Sequence, residues 1–526
     1  LIEGVITNKI NNAPVKRAHV IYTKVASSHA EASSPVSSDT DNDGRFSIPL
    51  EPGSYRLWVE RPGFSQQMYG AQTAEGEGSI LTVAPGDHLQ NLDMSIVPLG
   101  AIAGRVLDDD GEPLLGVGIQ VLKFSYATGM RQLVPVGGAS SNDRGEYRAF
   151  GLPAGHYYLL ASRRGAPISH PIEKGALVPE VLDRYAALYY PGVLDLNSAS
   201  EITLPPGGDL GDIDFRLQRI RAATVRGHLA SPVEDFGESQ VQVVLAHNDG
   251  NIASSIDRAT ATLDKASGRF EFHGIAPGNY LLIASQLYRG HSLAGRVPVE
   301  VTAAGNVENV TVPLVSAFDL TGTVEFEGGS AARYANVSVG LNPLESLSLG
   351  RPPASKVGSD GSIRLAGVTP GEWEIALDAL PEGYWLKAAT YGDADVSGGE
   401  LRASDAPRGP VHIVLAANGA QIAGKVAEDG KPRKATVVLA PAADELRKAS
   451  HLFHAATTQN DGTFLFKGVS PGSYKLFALE EVQPFAWLDP ELLKPVESSG
   501  EPISVAAGDK ITRQLAPIPA EALSPH

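Results

Sequence analysis

No cysteine occurs in the 526 residues, which excludes disulfide frameworks, thiolate metal sites and cysteine nucleophiles in one step. Positive charge is also scarce: 43 Lys and Arg stand against 60 Asp and Glu, for a net charge of −17. No polybasic run offsets that balance, which argues against nucleic acid and anionic membrane surfaces as partners. No stretch approaches the roughly 18 uninterrupted apolar residues of a membrane helix, so membrane insertion is not expected. The short signatures of catalysis are missing as well. There is no G-x-S-x-G elbow, Walker-type loop, dinucleotide fingerprint or H-E-x-x-H. No Gly/Ser-rich or Pro-rich linker interrupts the chain. It opens on Leu1 rather than Met and enters a strand pattern at once; this reads as a mature product whose leader has been removed, exported to the exterior or cell surface.

What the chain does hold is a repeat. Asn460–Tyr474, NDGTFLFKGVSPGSY, is written five times, the other copies lying at 41–55, 142–157, 266–280 and 359–373. Each begins with a turn glycine (Gly44, Gly145, Gly268, Gly361, Gly462) that supplies a positive φ. An alternating strand follows, then a Pro-Gly or Ala-Gly turn ending at Gly53, Gly155, Gly278, Gly371 or Gly472. An aromatic residue (Tyr55, Tyr157, Tyr280, Trp373, Tyr474) opens the next strand. The pattern reads as a β-hairpin of one register. The first glycines fall 101, 123, 93 and 101 residues apart, about one small domain each. A second marker keeps phase: the glycine of IEGVI, IAGRV, TVRGHL, LTGTV and IAGKV (Gly4, Gly104, Gly227, Gly322, Gly424) precedes the turn glycine by 38–41 residues.

These markers predict five tandem β-sandwich domains at 1–98, 99–220, 221–316, 317–418 and 419–526. The junctions 92–100, 215–222, 310–317 and 411–419 pass from a closing strand to an opening strand within a few residues. Successive domains are therefore expected to touch, giving a stiff or bent rod of roughly 15–20 nm at ~3.3 Å per strand residue. Between strands, Ser27–Ser38 reads as a mobile Ser/Ala-rich loop. The largest insertion, 163–200, carries helical spacing over Pro179–Leu188. Short helices are expected at Ala442–Ala449 and Asp489–Leu493, and the tail Ala520–His526 as frayed.

The order G-x-V, A-x-V-x-L, then D-G-x-F-x-F-x-x-V-x-P-G-x-Y-x-L resembles the carboxypeptidase regulatory-like domain. The fifth copy carries it most fully, in Gly424-Lys425-Val426, Ala435–Leu439 and Asp461–Leu476; the fourth departs, with Ile363 and Trp373 at the aromatic positions. The resemblance implies a transthyretin-like, seven-stranded antiparallel sandwich, and an all-β chain throughout. The segment 485–509 also resembles the closing part of multi-domain surface proteins of soil bacteria such as acidobacteria. The resemblance is specific for fold and not for function, since such domains serve as stalks, adhesin repeats, binding modules and enzyme appendages. Related adhesin domains form Lys–Asn crosslinks, but the residue after the marker glycine varies (Val5, Arg105, His228, Thr323, Lys425), so no repeated lysine supports that chemistry.

Four groups of residues are candidates for a site. Asp39, Asp41 and Asp43 alternate as at the start of a calcium loop, although an EF-hand's twelfth position is here Leu50. A plain β-turn explains the same residues. Asp108-Asp109-Asp110 forms a second acidic turn. His170 and Glu173 match H-x-x-E, but a catalytic zinc needs a third converging ligand and a general base. Tyr185, Tyr189, Tyr190, Tyr384, Trp385 and Tyr391 cluster in late loops of the second and fourth copies, either as ring platforms or as caps on the sandwich.

The leading expectation is a non-enzymatic, secreted or cell-surface structural and adhesive protein, without a cofactor, self-associating end to end as a fibre subunit. The alternative is a polysaccharide- or peptide-binding module that uses the six aromatics to hold a glycan or another surface protein.

Overall fold

The structure is a computed structural model. It describes residues 1–25, 34–71, 78–126, 131–163, 183–248, 253–254, 258–303, 305–327, 336–344, 352–404 and 406–523. The chain is all-β, and it divides into two compact units. One comprises 1–123, 135–178 and 183–220; the other comprises 124–134, 179–182 and 221–526.

The last copy of the repeat shows how sequence becomes sandwich. Ala420–Glu428 lies between Thr463–Val469, antiparallel to it, and Lys510–Leu515, parallel to it. Facing this sheet, Thr436–Pro441 pairs with His454–Thr457 and with Gly472–Leu479, which pairs with Glu501–Val505. Alternate residues point inward, so Ile422, Val426, Val437, Leu439, Phe464, Phe466, Tyr474, Leu476 and Ile503 form one buried cluster. Each of the other four copies contributes its strand pair to its own buried cluster.

The repeated stretch is not a hairpin. Thr463–Val469 and Gly472–Leu479 belong to opposite sheets, and the Pro-Gly turn between them is a corner that carries the chain across the core. The same holds for Arg45–Ile48 and Gly53–Glu60, and for each of the other copies. The alternation of Thr463–Val469 and the inward Tyr474 and Leu476 report a buried face on each strand, a pattern that a hairpin shares.

The aromatic at the corner locks it. Tyr55, Tyr157, Tyr280 and Tyr474 each donate a hydroxyl hydrogen bond to the carbonyl four residues upstream, at 2.9, 2.6, 2.9 and 3.0 Å. This is the tyrosine-corner device of β-sandwiches. Trp373 does the same with its indole N–H, donating to the Thr369 carbonyl at 3.1 Å.

The second marker has an equally local cause. At Gly424 an added Cβ would lie 2.3 Å from the carbonyl oxygen of Arg513 on the parallel closing strand. At Gly4, Gly104, Gly227 and Gly322 the corresponding distances are 2.4, 2.0, 2.0 and 2.0 Å, to Leu92, Ile213, Val310 and Val411. Only glycine admits that backbone approach.

Three local expectations change. Within Pro179–Leu188, where helical spacing was read, the chain forms the strand Asp183–Tyr185 and starts the strand Leu188–Tyr189; 179–182 lie outside the described residues. Val36–Ser38 is not loop but part of a strand paired to His19–Tyr22. The tail is not frayed at 520–523, which forms a 3-10 helix. Its Leu523, with Trp487, Leu493, Val496 and Ile518, packs over Val438, Phe477 and Leu479 on the outer face of the last sheet. Arg447, 4% exposed, pins this cover through two bonds to Glu497, at 2.9 and 3.0 Å. The short helices expected near 442–449 and 489–493 are present as Asp444–Lys448 (3-10) and Pro490–Leu493.

Candidate functional site

The acidic turn Asp39-Asp41-Asp43 does not gather its carboxylates. Asp41 accepts from the backbone N–H groups of Asp43 and Arg45 at 2.9 and 2.8 Å, and Asp39 pairs with His19 at 2.7 Å. Among the described residues, only Asp108, Asp109 and Asp110 bring three such ligand atoms together. Arg219 sits on all three carboxylates at 3.4, 3.0 and 2.6 Å, so a guanidinium already supplies the cation there. His170 and Glu173 lie outside the described residues.

The six aromatics are mostly structural. Tyr189, Tyr384 and Tyr391 are buried, at 6%, 9% and 2% exposure. Tyr384 stands edge-on to Phe326, and Tyr391 accepts from the Arg408 backbone N–H at 3.0 Å. Tyr190 packs edge-on against Phe215, and Tyr185 lies under the Arg163 guanidinium. These burials correct the expectation of a six-ring platform, because a buried ring has no free face to stack on a ligand. Tyr185, Tyr190 and Trp385 remain half-buried.

Trp385 lies at a place in the second unit where a cavity stands beside buried titratable groups. The fourth and fifth copies meet there through backbone. The N–H of Gly419 donates to the Gly383 carbonyl at 2.9 Å. Gly468, at φ +72°, lies so close that a Cβ would stand 2.8 Å from the Tyr384 carbonyl oxygen. Lys467 reaches back to Glu382 at 2.6 Å, and Trp385 Nε1–H donates to Asn418 at 3.3 Å. Beside these contacts is a cavity of about 290 Å³, lined by Leu377, Leu380, Tyr384 and Trp385 on one side and His451, His454 and Lys467 on the other.

Burial sets the charge of the groups at and near the cavity. Glu374, on the strand Gly371–Asp378, is 6% exposed because the loop carrying Ser450 covers it. Its carboxylate accepts from the Ser450 N–H at 2.6 Å, yet desolvation still raises its pKa above the usual range. Desolvation pushes His451 and His454 down to about 4, so both are neutral at pH 7. Nδ1 of His451 is buried without a hydrogen-bond partner among the described residues. Neither imidazole carries a charge at pH 7, and Lys467 and Glu382 are paired at 2.6 Å.

Sequence reasoning missed Glu374, His451 and His454. The H-x-x-H of SHLFH was the available signal, but nothing local shows that a neighbouring copy covers it. Glu374 stands between the core residues Trp373 and Ile375 on its strand, and the loop carrying Ser450 of the fifth copy buries it.

Residues 2–88 match the carboxypeptidase regulatory-like domain. The match falls on the first copy of the repeat. No curated protein matches the chain. Among solved structures, the chain is similar to the Bacillus anthracis TIE protein, with 13% identity over 78% of this chain and 72% of that one, at a TM-score of 0.15. It is similar to the Streptococcal ancillary pilin, with 12% identity over 56% and 98%, at a TM-score of 0.18. It is also similar to the full-length RrgB pilus protein from Streptococcus pneumoniae, with 9% identity over 80% and 98%, at a TM-score of 0.15. Similarities of this size carry no conclusion about function.

Proposed function

We propose that this chain is a non-enzymatic structural protein of the cell exterior, built of five sandwich domains with the boundaries 1–98, 99–220, 221–316, 317–418 and 419–526, and that it works as a fibre subunit or surface stalk. One observation carries the reading: within each compact unit, neighbouring copies are joined by backbone hydrogen bonds. In the first unit, the Leu99 N–H donates to Gly63 at 2.9 Å, and the Gly207 N–H to Pro98 at 2.9 Å. In the second, Gly419 bonds Gly383, and the Ala317 N–H donates to Ser292 at 2.8 Å. Flexible multi-domain proteins place mobile linkers at such points. Here the junction residues are strand ends whose bonding groups are already committed, which suits a chain that transmits force or holds spacing.

The test is electron microscopy of native secreted material, together with fractionation of cells. Regular fibres containing this chain support a polymer. Single particles anchored at the surface support a stalk and remove the polymer. Recovery of the chain solely from the cytoplasm overturns the reading.

A further inference from the structure

We propose that the open edge of the strand Gln132–Ser140, over residues 136–140, pairs with the same edge of a second copy of this chain. The two chains then join sheet to sheet about a two-fold axis. The proposal stands apart from the fibre and stalk readings, because such a pair closes at two while end-to-end assembly continues.

Gln132–Ser140 pairs on one side with Gly118–Ser125, and on the other only with Ala253–Ser254, at Gln132 and Leu133. Past those two residues no described strand lies on the outer side. The register decides which groups are left there. The Ser141 N–H donates to the Val117 carbonyl at 3.0 Å, and an added Cβ at Gly137 would lie 3.9 Å from that of Val121. Ser141 therefore opposes Val117 and Gly137 opposes Val121, in one unbroken antiparallel register. Alternate residues of such a ladder turn both backbone groups to the same neighbour. Gly137 and Ala139 bond inward to Gly118–Ser125, and Val136, Gly138 and Ser140 present their N–H and C=O groups to the open side.

Charge supplies the second observation. Proteins guard open edges with charged side chains, proline, bulges or short strands. The other described edge strands of five or more residues each carry charge: Arg148, Glu308, Arg364, Lys467, Glu501 and Lys510 stand on them. Gln132–Ser140 carries none, and past Pro135 it reads Val-Gly-Gly-Ala-Ser, with Val136 45% exposed. The missing charge selects a second copy as the partner. Copies of a chain of net charge −17 repel one another over most of their surface, and here two identical edges meet with no like charges opposed. Antiparallel pairing centred on Gly138 sets Val136 of each chain opposite Ser140 of the other and closes about six backbone hydrogen bonds. The contact is far smaller than the roughly 1,600 Å² of a standard stable interface, so the pair is weak and forms at high concentration.

The experiment is sedimentation equilibrium of the full chain from about 2 to 200 µM, with a monomer–dimer Kd expected between about 10 and 200 µM. Gly138 is left alone, because an added Cβ would stand 2.6 Å from the Ile119 carbonyl oxygen. The Val136→Lys, Ser140→Lys double variant should weaken dimerisation at least about tenfold, and so should Val136→Glu, Ser140→Glu. In each, the Val121 and Leu159 amides should stay protected from exchange. Mixing the two variants should restore dimers, since lysines then face glutamates. Both variants keep a negative net charge, so restoration requires these residues to meet face to face. End-to-end polymers, where they form, should keep their length in both variants. A chain that stays monomeric at 200 µM leaves the edge to a different protein and overturns the proposal. Dimers that survive in both variants overturn it, and so does a loss that mixing fails to restore.

Discussion

Trp373 donates its indole N–H to the carbonyl of Thr369 at 3.1 Å, the bond that a tyrosine hydroxyl makes at the other four corners. The position selects an aromatic body for the core and a donor at the far end of the ring, and both Tyr and Trp meet those terms. Tyr474→Phe keeps the body and removes the donor, leaving the Ser470 carbonyl without that bond. A loss of about 1 kcal/mol is expected. Amide exchange across Phe464–Leu476 reads it, since a local measurement avoids treating a multi-domain chain as two-state. Trp373→Tyr should retain more protection at its corner than Trp373→Phe, although both leave a smaller ring.

The close approach at Gly322 predicts a larger effect. A Cβ there would stand 2.0 Å from the Val411 carbonyl oxygen, which is backbone and has no flexible end to move aside. Gly322→Ala should separate Phe318–Phe326 from Val411–Ala416 and expose the amides of that parallel pair, at a cost of about 2 kcal/mol or more. Gly398→Ala, with open space around it, is the matched control and should leave exchange unchanged. Equal protection in the two variants would sink the steric account.

Much of the fold was legible because its causes are local. Strand alternation, the positive-φ turn at Gly462 and the aromatic at Tyr474 all lie within one short stretch. The corner was misread because alternation reports which face of a strand is buried, not which sheet the strand joins. The reason for the marker glycines was hidden because each partner carbonyl is distant in sequence, as with Leu92 for Gly4. The cavity was hidden for the same reason: Trp385 and His451 line it from two different copies.

Calcium should have no effect on the acidic turns. Arg219 lies against Asp108, Asp109 and Asp110, and a cation would have to displace a charge already in place. Millimolar calcium and EDTA are expected to give identical melting curves for the native chain. Arg219→Ala removes that charge and leaves three carboxylates facing one another. In this variant calcium should raise the melting temperature relative to EDTA. A calcium shift of the same size in the native chain would show that the guanidinium is not what occupies the turn.

Acid should loosen the junction between the fourth and fifth copies, and the sign follows from three groups. His451 and His454 fall from 6.5 to about 4 on folding. Their contribution is present above pH 6.5 and is lost as pH falls toward 4, because the opened state binds protons that the closed state refuses. Glu374 is raised above 4.5 by burial, so its contribution runs the other way: fully present below 4.5, it is lost as pH rises through the folded value. The remaining charges at the cavity, Lys467 and Glu382, are exposed and paired. Two imidazoles oppose one carboxyl, and the net expectation is falling protection of the Gly419 and Ser450 amides between pH 6.5 and 4, after correction for intrinsic exchange. Glu374→Gln keeps an acceptor for the Ser450 N–H and removes the opposing titration, so the loss on acidification should steepen. A His451→Phe, His454→Phe double variant should flatten it. A flat profile in the native chain, or a double variant as acid-sensitive as the native chain, would place the acid response elsewhere in the molecule.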